Sequence, residues 1–410
     1  MPSEHAAARP QDRARTELFW VKLLYLLIFA SYGTASAYLT LYFRRIGLNN
    51  AEIGILLGLQ PVAMLISGPA WSILADRLGM RARLLTIVLA LSIVPGLAIM
   101  WVTSFAALLA LTVLTAAMMG PVTPLLDSIA LDNLGEERHR YGTIRAYGSL
   151  GYMAVVWAVG ALIQVQDIRW IFVLNALLIA ASCTASLRLT QQPRTLPASV
   201  GRGLGTLIRV PGLLAVMSAY FVAMVLQGVT YGFANLYMDQ LGAGESLMGL
   251  SQAISSGGQV IVMIYILPGA LRRWGSQWLL IASLVCYALK VGIWVVVPHP
   301  VAVGLSQLLT GVSFGAAAVA TVDFAARHAP AGQEVTAQSL VSGLMAGSGR
   351  AVGSAVGGAL YDGVGPRNAF GLFTALGLVA AVGYGILWVA PRRGTSAPRE
   401  EATPRSACTP

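Results

Sequence analysis

Residues 41–54 read LYFRRIGLNNAEIG, and a similar stretch, LYMDQLGAGESLMG, follows 195 positions later at residues 236–249. Both stretches begin with Leu-Tyr and carry glycine at the seventh and the last position. Two further segments repeat at an offset of 196 residues: ADRLG (75–79) aligns with LRRWG (271–275), and LLDSIA (125–130) aligns with TVDFAA (321–326). Weak parallel repeats of this kind predict two structurally similar halves within one chain.

The composition identifies the environment of both halves. Of the 410 residues, 56% are apolar and only 11% are charged, and the mean hydropathy is +0.70. Ordinary soluble proteins carry about 25% charged residues. A spanning helix needs about 20 apolar residues. Twelve runs meet this requirement: residues 18–43, 51–75, 82–102, 104–131, 141–165, 168–189, 211–238, 246–270, 277–297, 301–326, 334–361 and 366–390. The chain is therefore expected to be an all-α polytopic membrane protein with 12 transmembrane helices in two pseudo-symmetric six-helix bundles.

The basic residues predict the orientation. With the N-terminus inside, 21 of the 27 Lys and Arg residues fall on the cytoplasmic side and four fall outside. Cytoplasmic loops carry such an excess, so we expect both termini in the cytoplasm of a multi-pass protein of the cell membrane. The expected organisation is an N-terminal tail (1–17), a first bundle (18–189), a polar linker (190–210), a second bundle (211–390) and a C-terminal tail (391–410).

The sequence offers little for catalysis or cofactor binding. The three cysteines have no CxxC spacing, and the four histidines lie in tails or loops. There is no nucleotide-binding loop, no HExxH motif and no nucleophile with a base at one depth, so we expect no enzyme, no metal and no cofactor. The net charge of +10 is divided among short clusters between the apolar runs, which argues against nucleic-acid binding.

Arg145 is a charge inside an apolar run, which is costly in a membrane and usually functional or paired. Asp127 lies nine residues before Glu136, near the turn between the fourth and fifth spans, and Arg145 lies nine residues after it. At 1.5 Å per residue the two reach the same depth on adjacent helices, so Asp127 is the predicted partner. The same symmetry places Asp132 opposite Arg140. The Asp127–Arg145 pair either lines a central cavity or joins two helices.

Polar residues in the second half form a second candidate set. Lys290 and Arg350 lie near mid-depth in the ninth and eleventh spans, and Asp323 lies closer to the cytoplasm in the tenth. Two polar stripes at helical spacing accompany them: Gln227, Tyr231 and Asn235, and Gln252, Ser255, Ser256 and Gln259. In lipid such stripes face protein or a water-filled cavity, so they indicate either a substrate site or interhelical hydrogen bonding.

The loop WSILADRLGMRAR (71–83) resembles the loop between the second and third spans of the major facilitator superfamily. The matching residues are Asp76, Arg77, Gly79, Arg81 and Arg83. The resemblance implies the fold of that superfamily and a gating role for this cytoplasmic loop.

A closer resemblance is to the branch of the superfamily that holds lactose permease, nucleoside–proton symporters and phenylpropionate permease. YGTIRAYGSLGY (141–152) is similar to the start of the fifth span in that branch. Asp127, Arg145 and Tyr152 fall on positions that form the sugar site of lactose permease. The resemblance therefore implies that these three residues contribute to substrate binding or coupling.

Together these features predict a secondary transporter that works by rocking its two halves around a central site. The ionisable groups within the spans sum to one positive charge, so we expect a small organic anion, such as an aromatic carboxylate, moved by proton-coupled symport. Asp127 and Asp323 are the candidate proton carriers. The alternatives are a sugar or nucleoside proton symporter, a drug or metabolite efflux antiporter, and a non-transporting receptor. The expected partners are the substrate, protons and the lipid bilayer, and the protein is expected to be a monomer.

Overall fold

The computed structural model describes residues 10–135, 137, 140–189, 212–328 and 343–389. Within these ranges the chain forms helices and no strand, which confirms the all-α class. The predicted linker, the C-terminal tail, residues 1–9 of the N-terminal tail and the start of the eleventh predicted span lie outside the described residues.

In the described ranges the first half consists of eight helices. They are α1 (Pro10–Ala35), α2 (Leu39–Arg45), α3 (Asn50–Leu78), α4 (Arg81–Ala98), α5 (Phe105–Met119), α6 (Val122–Leu134), α7 (Tyr141–Ile163) and α8 (Trp170–Ser186). Helix α1 begins inside the predicted N-terminal tail, because hydropathy detects only the apolar part of a helix. Arg, Glu and Gln are good helix formers and extend α1 toward its N-terminus.

The second half, over the described residues, consists of seven helices. They are α9 (Leu213–Gln240), α10 (Glu245–Ile261), α11 (Leu267–Val296), α12 (Pro300–Ser306), α13 (Leu309–His328), α14 (Ala346–Val364) and α15 (Pro366–Val389). A π-helical turn at Val262–Ile266 joins α10 to α11. Helix α11 itself is broken at Gly275, whose φ of 78° and ψ of 169° are not helical.

The fourth predicted span, 104–131, is interrupted between α5 and α6. Pro121 follows the break, where its missing N–H removes one helical hydrogen bond. Gly120 is required because a Cβ there would lie only 2.5 Å from Ser67 Oγ on α3. The bend therefore brings α3 close to the chain at the start of α6, the helix that carries Asp127.

Nine helices of the described chain are long and apolar enough to cross a membrane. One of them, Glu245–Val296, has 52 residues and contains the break at Gly275. Helix α8 is apolar but, with 17 residues, falls below the length requirement. The structure thus confirms a membrane-embedded helical protein.

The repeat seen in the sequence has a counterpart in the backbone. Gly47 and Gly242, which the repeat aligns, have φ of +97° and +84°, and the aligned Gly79 and Gly275 have φ of +62° and +78°. Side chains other than glycine rarely adopt positive φ, so both halves end equivalent helices with the same kind of turn. The weak sequence repeat therefore reflects equivalent turns in the two halves.

Polar contacts join the two halves at the end that the charge distribution predicts to be outside. The Asp362 carboxylate on α14 accepts hydrogen bonds from Asn50 Nδ2 at 2.5 Å and from the Ala51 backbone N–H at 2.8 Å, at the start of α3. Arg45 of α2 forms an ion pair with Glu245 at the start of α10. Because Asp362 accepts from the Ala51 N–H in the first turn of a helix in the other half, this contact also satisfies a donor that the helix itself leaves unpaired.

Glycines let the halves approach closely at the same end. A Cβ at Gly54 of α3 would overlap the backbone oxygen of Ser354, and a Cβ at Gly358 of α14 would overlap the backbone oxygen of Asn50. Small residues at such crossings allow backbone contact between membrane helices. We call this contact, formed by Asn50, Gly54, Ser354, Gly358 and Asp362, the outer seal.

At the opposite end, the described ion pairs each join residues of one half. They are Arg81–Asp132 and Arg140–Glu137 in the first half and Arg327–Asp323 in the second. The ion pair that bridges the halves among the described residues is at the outer end. Among the described residues, the two halves are therefore joined at the end that the charge distribution predicts to be outside.

Candidate substrate-binding site

Arg145 lies on α7 against two aromatic rings of α1. Its guanidinium carbon is 4.0 Å from the centre of the Phe29 ring and 5.6 Å from that of Tyr25. Gly148 and Gly151 make this packing possible, since a Cβ at Gly148 would lie 2.9 Å from Phe29 Cδ2 and one at Gly151 would overlap the backbone of α1. A guanidinium over an aromatic face is stabilised by the ring quadrupole, more so where water is excluded.

Asp127 accepts its hydrogen bond from the Tyr25 hydroxyl, at 2.6 Å. The predicted direct pairing of Asp127 with Arg145 is therefore replaced by an arrangement in which Tyr25 contacts both. Its hydroxyl binds the carboxylate and its ring faces the guanidinium. The reason is that α1 packs against both α6 and α7. A comparison of residue depths on α6 and α7 alone does not include α1, whose Tyr25 lies between the two charges.

The second predicted pair, Asp132 with Arg140, is wrong. Asp132 Oδ2 pairs with Arg81 Nη1 at 2.9 Å, and Arg81 also donates to Ser128 Oγ at 2.8 Å. Arg140 pairs instead with Glu137, three residues earlier. Arg140 finds its partner within its own stretch of sequence. Asp132 lies on the face of α6 that contacts α4, the helix that begins with Arg81.

The loop that the motif predicts to be a gate thus contacts α6, the helix that carries Asp127, through Arg81. Arg77 is exposed, Gly79 has the positive φ that its turn needs, and the side chain of Asp76 lies outside the described part. Arg81 and Asp132 are mostly buried, with 11% and 15% of their side chains exposed. The loop motif therefore contacts another helix of the first half, through Arg81 and Asp132.

Replacing Asp132 with asparagine should lower the melting temperature by about 3 °C or more, because it removes the carboxylate that pairs with the largely buried Arg81 guanidinium. Thermal unfolding of the purified protein, followed by tryptophan fluorescence, measures this. Glu137→Gln is the matched control: it removes one carboxylate from the exposed pair, and such pairs contribute little. Equal losses in the two variants would show that the Arg81 contact has no special role.

Tyr152 and Tyr231, one from each half, lie within electrostatic range of each other. Both hydroxyls lie near Ser36, in the turn between α1 and α2. Arg350 of α14 lies within electrostatic range of Tyr231 and is exposed, with Nε donating to the Ala346 carbonyl at 3.1 Å. The geometry therefore brings an aromatic pair and a cation together between the halves.

The three predicted glutamines lie in different surroundings. The Oε1 atom of Gln227, one turn before Tyr231, is buried and has no hydrogen-bond partner among the described residues. Buried acceptors are normally satisfied, so an unpaired one beside a candidate site is consistent with a ligand or water contact. Gln252 is buried, and Gln259 Nε2 points to Met263 Sδ, at 3.8 Å, in the π-helical turn that follows α10.

Lys290 and Asp323 occupy different places. Lys290 is buried, with 2% exposed, and its Nζ donates to Thr310 Oγ1 on α13 at 3.0 Å. Asp323 lies near the end of α13, where Oδ1 accepts from Arg327 Nε at 2.8 Å. The structure therefore separates Asp323 from the central tyrosines and pairs it with a neighbour on the same helix.

Sequence reasoning missed the contribution of α1. Its polar and aromatic stripe, Tyr25, Phe29 and Tyr32, contacts residues of α6 and α7, and so does Ser36 in the turn after α1. The spacing of three and four was readable as one helix face. In the described ranges, no group of three or more His, Cys, Asp or Glu residues is placed to hold a metal ion.

Comparison with known proteins shows which family matches the chain. The model of the MFS_1 like family matches residues 18–372. Maltose permease of Geobacillus stearothermophilus is 28% identical over 351 residues, covering 83% of this chain and 86% of that protein. The probable 3-phenylpropionic acid transporter of Escherichia coli (strain K12) is 27% identical over 287 residues, covering 67% and 73%.

A solved structure of the nucleoside transporter NupG has the same fold. It superposes with a TM-score of 0.80 at 17% identity, over 90% of this chain and 99% of that one. The resemblance read from the sequence motifs is confirmed by these matches, and at this identity the structural likeness concerns the fold alone.

Proposed function

The chain belongs to the MFS_1 like family, and on this basis we propose that it moves a small organic anion across the cytoplasmic membrane by proton-coupled symport. The family and the relatives make it a secondary transporter of the major facilitator superfamily and imply that it is not an enzyme. The proposed substrate is an aromatic or aliphatic carboxylate. The observation that carries the proposal is the setting of Arg145, a guanidinium held against aromatic rings while Asp127 is engaged by Tyr25.

The balance of charge favours an anion. Arg145, Arg350 and Lys290 are the basic residues of the predicted spans that the charge count assigns to neither membrane face or that reach into a span as Arg145 does, and Asp323 is already paired with Arg327. Positive charge without a nearby anion is unfavourable in a low-dielectric interior, and an entering carboxylate relieves it. Arg145 and Arg350 are the proposed carboxylate ligands because a guanidinium offers paired donors. Asp127 is the preferred proton carrier, since the pairing of Asp323 removes it from the centre.

Aromatic side chains complete the proposed site. Tyr152 and Tyr231 approach each other between the halves, and Phe29 lies beneath Arg145. An aromatic carboxylate would place its ring among these side chains and its charge on the guanidinium groups. Gln227, with its unpaired buried oxygen, is the proposed hydrogen-bond acceptor at the same level.

Twelve spans follow from the helices if three further features are counted. The break at Gly275 divides Glu245–Val296 into two spans, α8 is a short span, and α14 is a glycine-rich span of 19 residues. The charge bias then places both termini and the loop containing Arg81 in the cytoplasm. With the outer seal formed, the proposed state is the inward-facing one of an alternating-access cycle.

A phosphatase fused after Arg393 should therefore be inactive, because that residue is expected in the cytoplasm. The same enzyme fused after Arg169, in a predicted outer loop, should be active and serves as the control. Activity after Arg393 would contradict the even number of spans.

A second candidate, a proton-coupled sugar symporter, is favoured by the identity to maltose permease over 83% of the chain. The aromatic side chains around Arg145 are compatible with sugar stacking as well. A sugar, however, brings no charge to the cations within the spans.

Substrate-induced proton movement in proteoliposomes separates the two candidates. We expect a phenyl-substituted carboxylate to drive proton entry, while a nucleoside and a disaccharide do not. A response to the neutral solutes only would overturn the anion proposal. Transport that survives collapse of the pH gradient would overturn the coupling.

A further inference from the structure

A cavity of about 400 Å³ lies at the predicted cytoplasmic end of the second half, away from the central tyrosines. Its lining includes Arg272, Gly275, Ser276, Gln277, Asp323 and Arg327. The positive φ of Gly275 reverses the chain between Arg272 and Ser276, so residues before and after the break face one space. The cavity is therefore a product of the glycine break and of the end of α13.

The charges of this cavity are unbalanced. It contains the guanidinium groups of Arg272 and Arg327 and one carboxylate, Asp323, which pairs with Arg327 at 2.8 Å. Within the described chain, Arg272 forms no ion pair. One positive charge is thus left over beside the neutral polar groups of Ser276 and Gln277, which suits a monoanion with several acceptor oxygens.

The surroundings indicate a membrane interface. Trp274 and Trp278 stand on either side of the Gly275 break, with 58% and 53% of their surface exposed. Tryptophan is enriched at the level of the lipid headgroups, where its ring is in the apolar layer and its N–H meets water. These two exposed tryptophans therefore place the mouth of the cavity where a lipid headgroup is expected, with apolar rings available for acyl chains.

We propose that this cavity binds the phosphate group of an anionic phospholipid of the cytoplasmic leaflet, with Arg272 and Arg327 as its ligands. Paired N–H donors of arginine match the oxygens of a phosphate. Basic pockets between membrane helices on this side are suited to lipid headgroups. Free phosphate shares the same chemistry, but the two exposed tryptophans favour a ligand that also has acyl chains. The site is independent of the transported substrate.

Native mass spectrometry of the purified full chain with added phosphatidylglycerol tests the proposal. Arg272→Gln is expected to reduce the bound lipid about tenfold, the effect of losing a charge-assisted hydrogen bond. Arg273→Gln is the matched control, because this substitution removes the same charge from a neighbouring residue. The Arg273 side chain lies over the Trp274 ring and not in the cavity lining. The control variant should retain wild-type binding, and Arg327→Gln should behave like Arg272→Gln.

Three outcomes would overturn the assignment. Equal losses for Arg272→Gln and Arg273→Gln would indicate unspecific surface charge. Equal binding of phosphatidylcholine would exclude selection for an anionic lipid. Displacement of the lipid by inorganic phosphate, with no dependence on acyl chains, would assign the cavity to free phosphate instead. Gel filtration of each variant confirms that it is folded.

Discussion

Arg145→Gln is expected to abolish uptake, with a loss of more than about 100-fold. The substitution removes the guanidinium that lies 4.0 Å from the Phe29 ring, and with it the proposed carboxylate ligand. Two hydrogen bonds from the guanidinium to a carboxylate contribute about 3 kcal/mol or more, which corresponds to about two orders of magnitude in binding. Arg145→Lys should fail as well, because an ammonium neither stacks on the ring nor offers paired donors.

Uptake of labelled substrate into vesicles measures this loss, with expression checked by fluorescence of a fused reporter. Arg140→Gln, at the residue directly before α7 and with half of its side chain exposed, is the matched control and should transport normally. The double variant Asp127→Asn, Arg145→Gln should regain expression without activity. Normal transport by the double variant would mean that the Asp127–Tyr25–Arg145 cluster only joins helices, and the site assignment would be wrong.

The second large effect is expected at the outer seal. Gly358→Val should abolish transport by preventing closure on the outside, because even a Cβ at this position overlaps the Asn50 backbone oxygen and lies 3.1 Å from the Gly54 Cα. Both neighbours are backbone atoms, so no side-chain rotation relieves the clash. The variant should fold with the outside open.

Labelling by a membrane-impermeant thiol reagent reports this state. Ala355→Cys, introduced where Ala355 Cα lies 3.3 Å from the Cβ position of Gly54, should react slowly in the otherwise unchanged protein. It should react quickly when Gly358→Val is added, in a background with the native cysteines replaced. Gly363→Val on the same helix is the control, since a Cβ there meets nothing within 4 Å. Slow labelling in the Gly358 variant would refute the role of the seal.

Most of the candidate site residues could be named from the sequence, but their partners could not. Arg145 was identifiable as a charge inside an apolar run, and its depth pointed to Asp127. The residue that contacts both, Tyr25, is 102 positions from Asp127 and reaches it because α1 packs between helices that follow much later. Spacing within one helix carries no information about such a neighbour.

The sequence by itself determined the properties that depend on single residues and their periodicity. Apolar composition determined the helical membrane class, the repeat determined the equivalent glycine turns at Gly47 and Gly242, and the charge distribution predicts the orientation. Only the tertiary structure decided which residues meet across helices: Asp132 with Arg81, Asp362 with the start of α3, and Arg145 with Phe29. The physical reason is that burial depends on one residue's transfer free energy, whereas pairing depends on how helices far apart in sequence pack against each other.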